Sequence, residues 1–212
     1  MSAAETLQLI AREIQTCTRC PLHIGRTHAV PGEGPPDARI MFIGEGPGYH
    51  EDRRGRPFVG PAGQFLDELL AMAGLRRTEV FIGNVVKCRP PQNRDPQPEE
   101  ISVCTQAFLF RQIEALQPRV IVTLGRFSMN LFLPGEKISR IHGQPRKVDG
   151  RLIVPMIHPA AALHQPQNRP LIEADFRRLP EILAEAEREA AAEESAASVS
   201  DDEPPLEQLS LF

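Results

Sequence analysis

Short apolar runs alternate along the chain with longer stretches of helical periodicity. Runs at 39–43, 80–86, 119–124 and 152–157 are partly β-branched or aromatic, and each opens into a segment rich in Gly, Pro, Asn or His. Runs of this length, bounded in this way, read as buried strands. Between them, residues 62–73 carry Phe65, Leu66, Leu69 and Leu70 on one helical face. Residues 98–116 and 127–133 repeat the period, and a last helix runs from Leu171 through Phe176, Leu179, Ile182 and Leu183. Strands alternating with helices predict an α/β fold of three layers, α/β/α, around a central four-stranded parallel sheet. In such folds ligands bind beyond the carboxyl ends of the strands. Three loops there hold the chemically loaded residues: GEGPGYHED after the first strand, NVVKCRPPQNR at the second and HPAAALH after the fourth. Together they predict one site.

The period changes again near residue 184. Residues 184–212 carry nine acidic side chains against one arginine, a net of −8, which leaves residues 1–183 with 23 basic against 19 acidic groups, a net of +4. A mildly basic body with an acidic tail differs from the uniformly acidic protein that the overall −4 suggests, because only the local field decides whether a phosphate backbone can approach. The expected organisation is a folded domain at 1–183, an acidic disordered linker at 184–206, too poor in apolar groups to offset its ordering entropy, and a terminal peptide at 207–212. The start of the chain lacks the pattern of a signal peptide, and no apolar run reaches membrane-spanning length, so a soluble, cytoplasmic, monomeric protein is expected.

Four cysteines, Cys17, Cys20, Cys88 and Cys104, need an explanation in a reducing compartment, where structural disulfides are rare. Four thiolates suit a tetrahedral zinc or a cubane iron-sulfur cluster, and the spacing alone slightly favours zinc.

The segments Gly44-Glu45-Gly46-Pro47-Gly48, Glu51-Asp52, Pro57-Phe58-Val59-Gly60, Asn84-Val85-Val86-Lys87-Cys88-Arg89-Pro90-Pro91, Asn93-Arg94 and His158-Pro159, in this order and with the four cysteines, resemble family 4 uracil-DNA glycosylases. The resemblance spans roughly 17–183. It implies hydrolysis of the bond between uracil and deoxyribose in single- and double-stranded DNA, and a 4Fe-4S cluster held by Cys17, Cys20, Cys88 and Cys104. Phe58 resembles the stacking platform for the flipped base, Asn84 the reader of uracil, Glu51 the barrier to the thymine methyl group and His158 the group that stabilises charge on the departing base. Gly46 stands where related families have an Asp, so no obvious general base remains there. Glu45 and Asn93 are the candidates for positioning water, Glu45 preferred, and the Gly46 N–H is a candidate donor to the base. Leu163 is a candidate wedge for the vacated space, and Lys87, Arg94 and Arg140 are candidate phosphate contacts. Relatives that trap uracil-DNA covalently carry their histidine in a basic insertion that this chain lacks, so His142 is not expected to crosslink.

The terminal Gln208-Leu209-Ser210-Leu211-Phe212 resembles the peptide by which bacterial repair proteins dock on the sliding clamp, with Gln208, Leu209, Leu211 and Phe212 as its contacts. That implies a bacterial source and a nucleoid location while on DNA. A uracil-DNA binder without turnover and a zinc-stabilised adaptor are the rival readings.

Overall fold

The structure is a computed structural model and describes residues 1–200. In chain order its elements are α1 (Ala3–Gln15), α2 (Leu22–Gly25), β1 (Ile40–Gly44), α3 (Tyr49–Arg54), α4 (Pro61–Met72), β2 (Phe81–Asn84), α5 (Pro98–Cys104) and α6 (Phe110–Leu116). They continue as β3 (Val120–Leu124), α7 (Arg126–Asn130), α8 (Ile138–Ile141), β4 (Arg146–Val148), β5 (Arg151–Met156), α9 (Ala160–His164) and α10 (Arg169–Ser200).

The sheet order is β2-β1-β3-β5-β4, and β1, β2, β3 and β5 are mutually parallel, with Gly44 beside Asn84 and Ile43 beside Thr123. Alternation of side chains sorts the core into two halves. Met41, Ile43, Phe81, Ile121 and Ile153 pack under α1, α5 and α6. Phe42, Ile82, Val120, Val122, Leu124, Val154 and Met156 pack against Leu66, Leu69 and Leu70 of α4 and Ile172, Phe176 and Leu179 of α10. The three expected layers are therefore present. After β2 the chain crosses β1 to lay down β3 on the other side, which makes the carboxyl end of β1 a topological switch point.

Three features depart from the sequence reading. The sheet has five strands, not four, because β4 adds antiparallel to β5 as a hairpin edge. Its turn is Asp149-Gly150, with φ of 47° and 74°, the pair of left-handed residues that a two-residue hairpin requires. The helix expected at 98–116 is interrupted by a π-helical turn, Thr105–Leu109, directly after Cys104, where the Thr105 hydroxyl donates to the Ile101 and Ser102 carbonyls. The backbone after Leu183 continues as helix to Ser200 where a disordered linker was expected, since the Ala and Glu that starve the segment of apolar surface are strong helix formers. The terminal peptide lies outside the described residues. Among those residues, no helix is long and apolar enough to cross a membrane.

Candidate active site

The carboxyl ends of β1, β2 and β5 bring four residue types to one place. Gly44 ends β1, Asn84 ends β2, and His158 follows β5 by two residues. Phe58 arrives from the loop before α4. A Cβ on Gly44 would stand 2.5 Å from Asn84 Oδ1 and 2.7 Å from Phe58 Cζ, so only glycine leaves room for both side chains to converge. The Phe58 and His158 rings stack, with centroids 5.6 Å apart and planes 26° from parallel. Asn84 is 2% exposed, and its Oδ1 is one of two buried side-chain polar atoms without a hydrogen-bond partner among the described residues. An orphaned buried acceptor costs about 1–3 kcal/mol, so this carbonyl is poised for a ligand N–H.

Phe58 has a left-handed backbone, φ 49°, which a bulky side chain rarely adopts. The surroundings hold it there. Glu51, in the first turn of α3, accepts through Oε1 from the Val59 and Gly60 N–H groups at 2.9 and 2.8 Å. Arg77 donates to the carbonyls of Pro57 at 2.6 Å and Phe58 at 3.2 Å while pairing with Glu33 and Asp67. Gly63 in α4 sits so close that a Cβ there would fall 1.9 Å from the Phe58 carbonyl oxygen. Sequence reasoning missed Arg77, because its partners lie between ten and 44 residues away and two of them are main-chain carbonyls. The carboxylate of Glu51 serves the loop that carries Phe58 and also lies near enough to His158 to favour its charged form.

Burial outweighs that influence and pushes the His158 imidazole down to about 4, so the ring is neutral near pH 7. The Ala160 N–H donates to His158 Nδ1 at 3.1 Å. A nitrogen that accepts carries no proton, which puts the proton on Nε2 as a donor. Glu45, just past β1, is half-buried, and burial followed by the charge of Asp95 raises its carboxyl above the ordinary range, with Arg126 opposing. The Val86 N–H donates to the Glu45 carbonyl at 3.1 Å. At Gly46 a Cβ would meet Val86 Cγ2 at 2.7 Å, which explains physically why a side chain such as Asp is not accommodated there.

The remaining candidates separate. Asn93 is exposed, has φ 55°, and its Oδ1 accepts from Arg89 Nε at 2.7 Å. Arg94 makes a two-pronged pair with buried Glu100, at 2.9 and 2.7 Å, and so clasps its own loop. Lys87 requires a correction: it is 1% exposed and cannot reach a phosphate, because its side chain turns inward to Asn84 and Gln112. Arg140, in α8, is exposed, and Leu163 of α9 is 50% exposed five residues after His158. His142 is paired with Asp175 at 2.6 Å.

Cys17, Cys20, Cys88 and Cys104 form no disulfides and line one small cavity with Ile14, Arg19, His23, Arg26 and Phe108. Donors converge on the sulfurs: Arg26 Nη1 on Cys88 at 3.2 Å, the Lys87 N–H on Cys104 at 3.3 Å and the Arg19 N–H on Cys17 at 3.5 Å. Burial raises the Cys20 and Cys88 thiols and pushes Cys104 up to about 11, so apolar surroundings alone would keep them protonated.

These side chains converge at the switch point of a parallel sheet, and residues 31–183 match the model described as the uracil DNA glycosylase superfamily, to which the chain belongs. Its similar relatives within that superfamily include type-4 uracil-DNA glycosylases. It is 49% identical to that of Archaeoglobus fulgidus over 84% of this chain and 94% of the relative. The figures are 47% for Thermotoga maritima, over 77% and 86%, and 44% for Sulfurisphaera tokodaii, over 87% and 88%.

Proposed function

We propose that the protein hydrolyses the N-glycosidic bond of deoxyuridine in single- and double-stranded DNA, releasing uracil and leaving an abasic site. The observation that carries this reading is the buried, unpartnered Oδ1 of Asn84 beside Phe58. Uracil offers N3–H to that acceptor, whereas cytosine offers a lone pair, and an amide reads the difference once its orientation is held.

Taking the base out of a duplex costs a few kcal/mol, and stacking on an aromatic face such as Phe58 returns about 1–3 kcal/mol. Two rings with centroids 5.6 Å apart leave no room for a third between them, so the base lies on Phe58 with His158 at its edge. As the bond to the sugar breaks, negative charge grows on the uracil O2 and positive charge on the deoxyribose. His158, neutral and protonated on Nε2, donates to O2, and the Gly46 N–H is a second donor. The Glu45 carboxylate stabilises the sugar cation and orients the attacking water; Asn93 is less suited, since its amide oxygen is already engaged by Arg89. Glu51 limits the space for a 5-methyl group by fixing the Phe58 loop. Leu163 enters the space that the base vacates, and Arg140 meets the backbone.

Cys17, Cys20, Cys88 and Cys104 would hold a 4Fe-4S cluster. What supports this reading is that four sulfurs line one cavity and that N–H groups and an arginine face them, as an anionic cluster needs. Bound there, the cluster supplies cross-linking of the chain. Gln208, Leu209, Leu211 and Phe212 would dock on the sliding clamp, which raises the enzyme's effective concentration on DNA. Deleting the last five residues is expected to abolish clamp binding and leave activity on short DNA unchanged; persistent binding rejects this role.

The direct test incubates the protein with single-stranded and duplex oligonucleotides holding one uracil, followed by hot alkali. Wild type is expected to cause scission at the uracil, and Asn84→Ala to slow it roughly tenfold or more. No scission by wild type overturns the reading in favour of a binder without turnover.

A further inference from the structure

One buried charge has no part in the chemistry described above. Lys87 Nζ donates to the main-chain oxygen of Asn84 at 2.9 Å and to Gln112 Oε1 at 2.6 Å. Gln112 is itself buried and donates through Nε2 to the Pro31 carbonyl at 2.8 Å, which closes the network on a third segment of chain. The N–H of the same lysine lies on Cys104 Sγ, and the next residue is Cys88. Removing an ammonium from water is costly unless every proton finds an acceptor, and a methionine would fill similar volume without the penalty. The feature that the charge secures is the end of β2, where the chain leaves the sheet and Asn84 turns into the site.

We propose that Lys87 is a positioning residue for base recognition: by holding the Asn84 carbonyl against Gln112, it fixes the angle at which the Asn84 amide meets the base. This rests on the reading of Asn84 as the residue that contacts uracil. A free amide rotates to suit uracil or cytosine alike, and the Asn84 Oδ1 has no partner among the described residues to prevent it. What Lys87 holds is the backbone beneath the side chain, and with it the position from which the Asn84 amide reaches the base. Because Lys87 also abuts two cysteines, the segment that reads the base and the segment that lines the sulfur cavity are one continuous unit.

The test uses the full-length holoprotein and four variants: Lys87→Met, Gln112→Met, Asn84→Ala and the double variant Asn84→Ala/Lys87→Met. Single-turnover cleavage of a uracil oligonucleotide, inhibition by free uracil, affinity for abasic DNA, visible absorbance and thermal midpoint are measured for each. Lys87→Met is expected to slow cleavage and weaken free uracil by roughly ten- to a hundredfold, with abasic-DNA affinity unchanged. In the Asn84→Ala background the same substitution is expected to cost nothing further, because a residue that acts through a side chain has no effect once that side chain is gone. An undiminished loss in that background, or a parallel loss of abasic-DNA binding, overturns the proposal. Where Lys87→Met does not fold, Gln112→Met decides, with weakened uracil inhibition expected and wild-type inhibition overturning it. Full activity of Asn84→Ala removes the underlying reading instead, and needs no Lys87 variant to be recognised.

Discussion

The hydrogen bond from the Ala160 N–H to His158 Nδ1 decides which ring nitrogen holds the proton, and burial decides that there is only one proton to hold. Below about pH 6.5 an unfolded histidine takes up a proton that His158 in the folded protein refuses until about pH 4. Stability from this group is therefore intact above about 6.5, falls as the pH drops through the window, and reaches a loss of about 3 kcal/mol near pH 4. Urea midpoints of wild type and His158→Asn between pH 4 and 7 are expected to diverge, with the wild type losing more. The same depression means that His158 imposes no acid limb on the rate at moderate pH. Glu45, whose carboxyl is raised by burial and by Asp95, protonates above the ordinary carboxylate range and is expected to set that limb. A Glu45→Gln protein should be slower and should lose the limb in its kcat profile; an unchanged profile excludes Glu45 as the carboxylate that must be ionised.

At the scale of elements, the loop before α4 is the part most visibly held against its own preference. Phe58 sits in the left-handed region because Glu51 from α3, Arg77 and the bare Gly63 of α4 together fix the chain around it. Arg77→Met should lower stability by about 1–3 kcal/mol in denaturant titrations and reduce cleavage of uracil DNA, since the freed loop relaxes toward ordinary dihedrals. If stability falls without loss of rate, the loop does not need the arginine to present Phe58. The β4–β5 hairpin is the contrasting case, because its strain is local and distant from the site. Gly150→Val is expected to cost about 1–2 kcal/mol in the same titration and to leave the rate unchanged. The signal for this hairpin was present as Asp149-Gly150, but the three residues of β4 are too short, and two are too exposed, to stand out as a strand by hydrophobicity. Helix 98–116 could be read from its period, whereas the π-helical turn after Cys104 could not, because a one-residue slip leaves apolar spacing nearly intact.

Over the whole molecule, legibility followed the range of the interaction. The four parallel strands and their covering helices were readable because each strand meets apolar side chains on both faces, and the convergence of Gly44, Asn84 and His158 because they lie at or just past strand ends. Lys87 was misread as a surface charge since nothing local announces that a lysine between Val86 and Cys88 faces Gln112, 25 residues on. The acidic segment past Leu183 was read by composition, which measures what a segment can bury and not what helix its alanines form. Cysteine placement leads to a global expectation: stripping a bound cluster with chelator and oxidant should expose the first 26 residues to limited proteolysis while far-ultraviolet dichroism retains the sheet. Protection of those residues after stripping would mean that the packing of α1 on α6, with its Glu13–Arg111 pair, suffices alone.

That packing also has a consequence in time. The face of α1 that carries Ile10 and Ile14 has as its partner a helix about a hundred residues further along. At ribosomal speeds of about 5–20 residues per second, the leading segment emerges with its apolar stripe uncovered and waits on the order of 5–20 s for the chain that will cover it. During synthesis that stripe of α1 is thus open to chaperones and to premature association until α6 has been made.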